Sequence, residues 1–121
     1  VIDVTDPAVP ARVAALPLAD AHGIFVTRTW AYVANGAAGL AIVDVERPTA
    51  PRPFRQLGSA DGIDDARDVV VATTNASLFA YVADGRSGLK VLQLTAPDTQ
   101  PDFYGFSPQP RPQLIARRPT P

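Results

Sequence analysis

AYVANGAAGLAIVDV at residues 31–45 returns as AYVADGRSGLKVLQL at residues 80–94. Each copy opens on Ala-Tyr-Val-Ala, turns through Asn-Gly or Asp-Gly, meets a second Gly three residues later and leaves on Leu into another apolar run. Short runs of Val, Ile, Leu and Tyr bounded by Gly-containing turns are hairpin strands. The turn residues are Asn35, Gly36 and Gly39 in one copy and Asp84, Gly85 and Gly88 in the other. Asn35-Gly36 and Asp84-Gly85 read as residues that accept positive φ at low cost. Gly39 and Gly88 read as a bulge where the chain re-enters the sheet.

Working outward, the repeat is longer than the hairpin. VIDVTDPAVP (1–10) matches IVDVERPTAP (42–51) at an offset of 41, and VLQLTAPDTQP (91–101) matches it again at an offset of 49. Asp20–Val26 aligns with Asp65–Val71, which sets His22 opposite Arg67. Extra residues of the later copy fall before Ala66 and between Val71 and Tyr81, where turns absorb them without disturbing strand register. The middle copy predicts four short strands, at 23–27, 31–34, 40–45 and 53–57. The last copy predicts strands at 68–73, 79–83 and 89–94, with a fourth at either 103–106 or 114–117. The first supplies only two, at 1–4 and 12–16. No window keeps a helical period.

Four strands per 41 to 49 residues is the period of a propeller blade. The expected fold is all-β, with β-propeller-like four-stranded blades, about two and a half of them, in an incomplete ring. Residues 1–19 would form the second half of a blade, 20–58 a complete blade and 59–106 a second blade with longer loops. Residues 107–121 would be a Pro-rich tail or an outer edge strand. Paired prolines, Pro7/Pro10, Pro48/Pro51 and Pro97/Pro101, follow the third strand each time. Proline has no amide donor, so the strand after each pair is expected on the exposed outer edge.

Composition narrows the function classes. The 121 residues are 46% hydrophobic and 19% charged, a globular balance, with 13 prolines that favour short connections over long helices. A net charge of −1 leaves no electrostatic footprint for nucleic acid. No apolar run reaches the roughly 20 residues of a membrane-spanning helix, and membrane insertion is not expected. With no cysteine, the chain cannot form a disulfide, a thiolate metal site or a cysteine nucleophile. It contains no methionine and opens inside a strand pattern, which reads as a fragment or a processed product.

The residues carry a closer resemblance. Tyr32-Val33-Ala34-Asn35-Gly36, then Gly39-Leu40-Ala41-Ile42-Val43-Asp44-Val45, then Pro48 and Pro51, resemble the LVIVD-repeat family. Residues 1–10 carry the second half of the pattern, and residues 81–101 carry a diverged copy with Gln93 in place of the Asp. The resemblance implies propeller-like repeats in cell-surface, secreted or periplasmic prokaryotic proteins, and it implies no catalytic residues. The function expected from it is a non-catalytic structural or protein-interaction segment. Further propeller repeats or neighbouring subunits would cover or close its blades.

Several residues invite chemistry. Asp3 and Asp44 occupy equivalent strand positions; a pair of carboxylates can perform acid–base work, but a residue recurring in each blade reads better as a cap on backbone amides. The stretch Asp61-Gly62-Ile63-Asp64-Asp65-Ala66-Arg67-Asp68 holds four carboxylates within eight residues. Asp61, Asp64, Asp65 and Asp68 could hold Ca²⁺ through hard oxygen ligands, although their spacing is not that of an EF-hand. The alternative function is therefore a ligand- or calcium-binding propeller, enzymatic or not, with its site on this loop. Otherwise the loop is a partner contact, or a solvated turn whose Asp residues satisfy local amides and pair with Arg67. His22, the single histidine, reads as a hydrogen-bonding residue at a strand entry, and Trp30 as a packed aromatic in the turn before Ala31. Asn75-Ala76-Ser77 fits an N-glycosylation acceptor in an inserted turn. Arg111, Arg117 and Arg118 make a tail too weakly basic for nucleic acid.

Overall fold

The computed structural model describes residues 1–74, 77–96 and 107–119. Ten strands make up its regular structure, joined by single 3-10 turns at Ser59–Asp61 and Gly85–Ser87. Strands β3 (Gly23–Thr27), β4 (Trp30–Ala34), β5 (Leu40–Asp44) and β6 (Arg52–Leu57) form one sheet in chain order. Strands β7 (Asp68–Thr74), β8 (Ser77–Ala83), β9 (Leu89–Thr95) and β10 (Gln113–Arg118) form a second sheet in the same order. A two-stranded piece, β1 (Ile2–Asp3) with β2 (Ala11–Arg12), precedes them. All pairings are antiparallel. These are the four-stranded, propeller-like blades that the repeat predicts, and the described residues form no closed ring.

Alternation sorts the side chains. Tyr32, Leu40 and Ile42 of the first blade meet Val69, Val71, Ala80, Val82 and Leu92 of the second in one continuous core. A strand sends successive side chains to opposite faces, so the intervening Ala31, Val33, Ala41 and Val43 point the other way. They are buried too. Leu18 lies beside Ala41 and Val43 on that side, so β4 and β5 are covered on both faces. β6, which follows Pro48/Pro51, and β10 each lie at an edge of their sheet, while Pro97/Pro101 fall outside the described residues.

One open sequence reading is settled and three are revised. The fourth strand of the second blade is β10 at Gln113–Arg118, within the Pro-rich segment; the other candidate, 103–106, lies outside the described residues. Trp30 opens β4 opposite Asp44 rather than occupying a turn. It is buried, with its ring 4.9 Å from Phe54, and it can pair with Thr27 because Arg28, at φ +55, and Thr29 turn the chain in two residues. The strands of the first copy shrink to two residues each, since no third strand pairs with β1 to prolong them. Lastly, Asn35 and Asp84 do not adopt positive φ: Asp84 sits at φ −105, and the positive angles fall on Gly36, Gly39, Gly85 and Gly88. Glycine has no Cβ to clash there, so the Asn and Asp are needed for something else.

The incomplete first copy still keeps the geometry of the repeat. Ile2 faces Arg12 and Asp3 faces Ala11, as Val43 faces Pro53 and Asp44 faces Arg52. Val9 donates to the Asp6 carbonyl and Ala50 to the Arg47 carbonyl, both at 2.9 Å. Asp3 Oδ1 accepts the Thr5 amide at 2.9 Å, and Asp44 Oδ1 accepts the Glu46 amide at 3.0 Å. These two carboxylates therefore hold the turn that leads to the outer strand. The Thr5 hydroxyl, then the Thr5 amide, keep the Asp3 carboxyl below the usual aspartate range.

Candidate functional site

Asp3 and Asp44 sit at the turns before the outer strands. His22, Asn35, Asp64, Asp65, Arg67 and Asp84 lie at the end of the blades where the β4–β5 and β8–β9 turns meet the loops entering β3 and β7. Both turns fold alike. Asn35 N–H donates to the Gly39 carbonyl and Asp84 N–H to the Gly88 carbonyl, each at 2.8 Å. Their side chains point to the entering loop instead. Asn35 Oδ1 accepts the Asp20 amide at 2.8 Å, and Asp84 Oδ1 accepts the Asp65 amide at 2.7 Å. Asp84 also receives the Asp64 amide, at 2.9 Å on one oxygen and 3.1 Å on the other. Amides buried without a partner are costly, so a buried acceptor here fixes the path of the chain into the inner strand. This explains the Asn and Asp at the head of each turn.

The neighbouring pairs are likewise repeated. His22 Nε2 lies 3.0 Å from Asp20 Oδ2, and Arg67 Nη2 lies 3.0 Å from Asp65 Oδ2. The His22 amide bonds the Ala34 carbonyl and the Arg67 amide bonds the Ala83 carbonyl, both at 2.8 Å. His22 thus stands at a strand entry, paired with its own loop's carboxylate. The hydrogen bond to Asp65, then the charge of that carboxylate, raise Arg67 above the usual guanidinium value. The blades are stitched together beside these pairs, where Gly36 and Ala66 exchange hydrogen bonds at 2.9 and 3.0 Å. A Cβ on Gly36 would run into the Asp20 carboxylate, and one on Gly85 would meet that of Asp65.

The acidic stretch does not converge on one point. Asp61 Oδ2 accepts the Gly58 amide, Asp64 Oδ2 the Ser87 hydroxyl and Asp68 Oδ1 the Val69 amide, while Asp65 holds Arg67. Among the described residues no group of three His, Cys, Asp or Glu side chains is arranged to hold a metal ion. Ile63 is fully buried in the core and anchors the loop. Asn75 of the candidate glycosylation sequence lies outside the described residues.

One buried ion pair escaped sequence reading. Lys90 is buried, with Nζ 2.9 Å from the Gly62 carbonyl and 3.5 Å from Asp84 Oδ2. Its counterpart in the first blade is Ala41, and the counterpart of Asp84 is Asn35. The two blades therefore solve one problem in two ways, a neutral amide beside alanine or a carboxylate beside lysine. The coupled substitution was the available signal.

The family model for the LVIVD repeat matches residues 19–53 and 64–97. The chain belongs to the LVIVD-repeat family. Each matched segment begins in the loop entering an inner strand and takes in the turn that this loop is tied to. The LVIVD pattern thus covers the Asn35–Asp20 and Asp84–Asp65 contacts as well as the strands. No curated protein and no solved structure matches the chain.

Proposed function

We propose that this LVIVD-repeat chain is a non-catalytic structural and protein-binding propeller segment of an extracytoplasmic protein. One observation carries the binding role. Tyr81 and Leu89 of the second blade are 37% and 39% exposed, whereas their repeat counterparts Tyr32 and Leu40 are 1% and 0% exposed. The second blade covers that face in the first, and nothing among the described residues covers it in the second. Val70, 50% exposed and directly opposite Tyr81, extends the uncovered face. A sheet face this apolar is a protein-contact surface. The non-catalytic reading is supported by the shared polar side chains, which hold backbone amides or pair with each other in both blades. Placement outside the cytoplasm rests on the family resemblance.

The test is a double substitution, Tyr81→Glu with Leu89→Glu. The native chain should bind an apolar dye and associate as its concentration rises, and the double variant should do both more weakly, since Ile24 and Val26 stay exposed. Its melting temperature should stay within a few degrees, because surface changes alter stability by about 0.5 kcal/mol or less. A monomeric native chain whose double variant melts far lower would overturn the reading, since Tyr81 would then be core. Calcium added to the native chain should leave its melting temperature unchanged. A rise abolished by Asp64→Ala and Asp65→Ala would establish the acidic loop as a ligand site instead.

A further inference from the structure

The outer strands of the two blades present different edges. β6 and β10 occupy matching places, since Val43 faces Pro53 and its repeat counterpart Leu92 faces Leu114. A proline inside a paired strand keeps its nitrogen on the solvent side, so Pro53 blunts the outer edge of β6. Leu114 restores an amide at that place, and no described strand pairs with the outer edge of β10. The charges differ in the same way. Arg52 of β6 stands opposite Asp44 and bonds it at 3.1 Å. The counterparts of that pair, Gln113 and Gln93, are neutral. β10 instead carries Arg117 and Arg118, both exposed, and neither β9 nor β10 holds an acidic residue. Among the described residues no carboxylate forms an ion pair with either arginine. Arg117 stands opposite Lys90, and the carboxylate there, that of Asp84, is already committed to the lysine at 3.5 Å. The first blade thus neutralises and blocks its outer strand, and the second does neither.

We infer that the outer edge of β10 accepts an extended acidic segment of a partner protein, which adds to the second blade as a fifth strand. The edge amides and carbonyls supply affinity and register, as in strand addition generally. Arg117 and Arg118 set the chemistry. Successive side chains of a strand point to opposite faces, so two consecutive acidic residues in the partner meet one arginine each. Ile115, 48% exposed in the bulge between Leu114 and Ala116, selects an apolar residue further along. Positive charge on an edge strand disfavours pairing with a second copy of itself, while it steers an acidic strand in. The inference goes beyond the protein-binding role proposed above by naming a second surface and the chemistry of its occupant, and it makes no use of the Tyr81 face.

The probe is an end-blocked peptide, Glu-Glu-Val-Thr-Val-Thr, ordered for antiparallel pairing with β10. Titrated into the full chain at low salt, it should bind saturably, and added salt should weaken it. Arg117→Glu combined with Arg118→Glu should weaken binding about tenfold or more, because two attractions become repulsions. Both arginines are exposed, so this variant should keep the native melting temperature within a few degrees. It should also bind Lys-Lys-Val-Thr-Val-Thr, which the native chain should refuse. The acidic peptide methylated at every backbone amide keeps its charges but has no donors for the edge, and it should not bind. Tyr81→Glu should leave binding of the acidic peptide unchanged. Absence of binding would overturn the inference, as would binding indifferent to loss of the arginines, equal binding of the methylated peptide, or loss of binding on Tyr81→Glu. Failure here, with dye binding and association at Tyr81 intact, would remove the β10 site and leave the proposed function standing.

Discussion

Asp84→Asn is expected to destabilise the chain by about 3–5 kcal/mol, the usual result of leaving one member of a buried ion pair without its partner. Asp84 is fully buried and Lys90 nearly so. Asparagine keeps an oxygen for the Asp65 amide, so the loss is mainly that of the negative charge beside Lys90. Lys90→Ala alone should also be costly, because the Asp84 charge stays buried and the aliphatic stem of the lysine is removed. The informative variant combines them. Asp84→Asn with Lys90→Ala installs in the second blade the pair that the first blade already uses, Asn35 beside Ala41. Asn35 there satisfies the entering loop with a single bond to Asp20 at 2.8 Å. The double variant should therefore lose less than the sum of the two single losses, by a coupling of about 1–3 kcal/mol in a double-mutant cycle. Chemical denaturation of the four proteins measures this directly. Strict additivity of the two single losses would show that Asp84 and Lys90 act independently, against the account given for the pair.

That prediction also marks what could be read from the sequence. The twin Ala-Tyr-Val-Ala segments, the two offsets and the recurring prolines led to four-stranded blades because strand, turn and edge each have a local chemical signature. The role of Asn35 and Asp84 was less legible. Asn-Gly and Asp-Gly normally signal positive φ, and here the glycines alone carry it while the side chains reach loops 15 and 19 residues away. Such contacts leave no periodic trace; they show only in differences between copies, as Lys90 against Ala41 does. The fourth strand of the second blade stood between two candidates, 103–106 and 114–117, because prolines flank both. The four Asp residues of the acidic loop are close in sequence, yet backbone direction sends them to different partners. Burial was the other blind spot, since equal residues such as Tyr32 and Tyr81 differ only in what lies across from them.

The glycines that close the turns set the second large effect. Gly39 adopts φ +94, and a Cβ there would overlap the carbonyl of Leu57. Neither difficulty relaxes easily. The obstructing atom belongs to the backbone of β6, which is paired with β5. The angle is also fixed by the turn, in which Gly39 N–H donates to the Gly36 carbonyl at 2.9 Å while its carbonyl accepts Asn35 N–H. Gly39→Ala should therefore cost about 4 kcal/mol or more, combining backbone strain with displacement of a neighbouring strand. Gly88 repeats the position at φ +88 and ψ −145, a region that residues with a side chain hardly enter. Gly88→Val, with a β-branched side chain, should yield no soluble folded protein. Gly58 supplies the control. It sits at φ −115, and a Cβ there would find only the Ala38 carbonyl, 3.9 Å away. Gly58→Ala should stay within about 1 kcal/mol of the native chain, since it mainly restricts the unfolded state. Thermal melts of Gly39→Ala and Gly58→Ala separate the cases, and the soluble yield of Gly88→Val reads the third. If Gly39→Ala melted beside Gly58→Ala, the close approach of the turn to β6 would not be what fixes glycine at position 39, and the repeat's second glycine would need another cause.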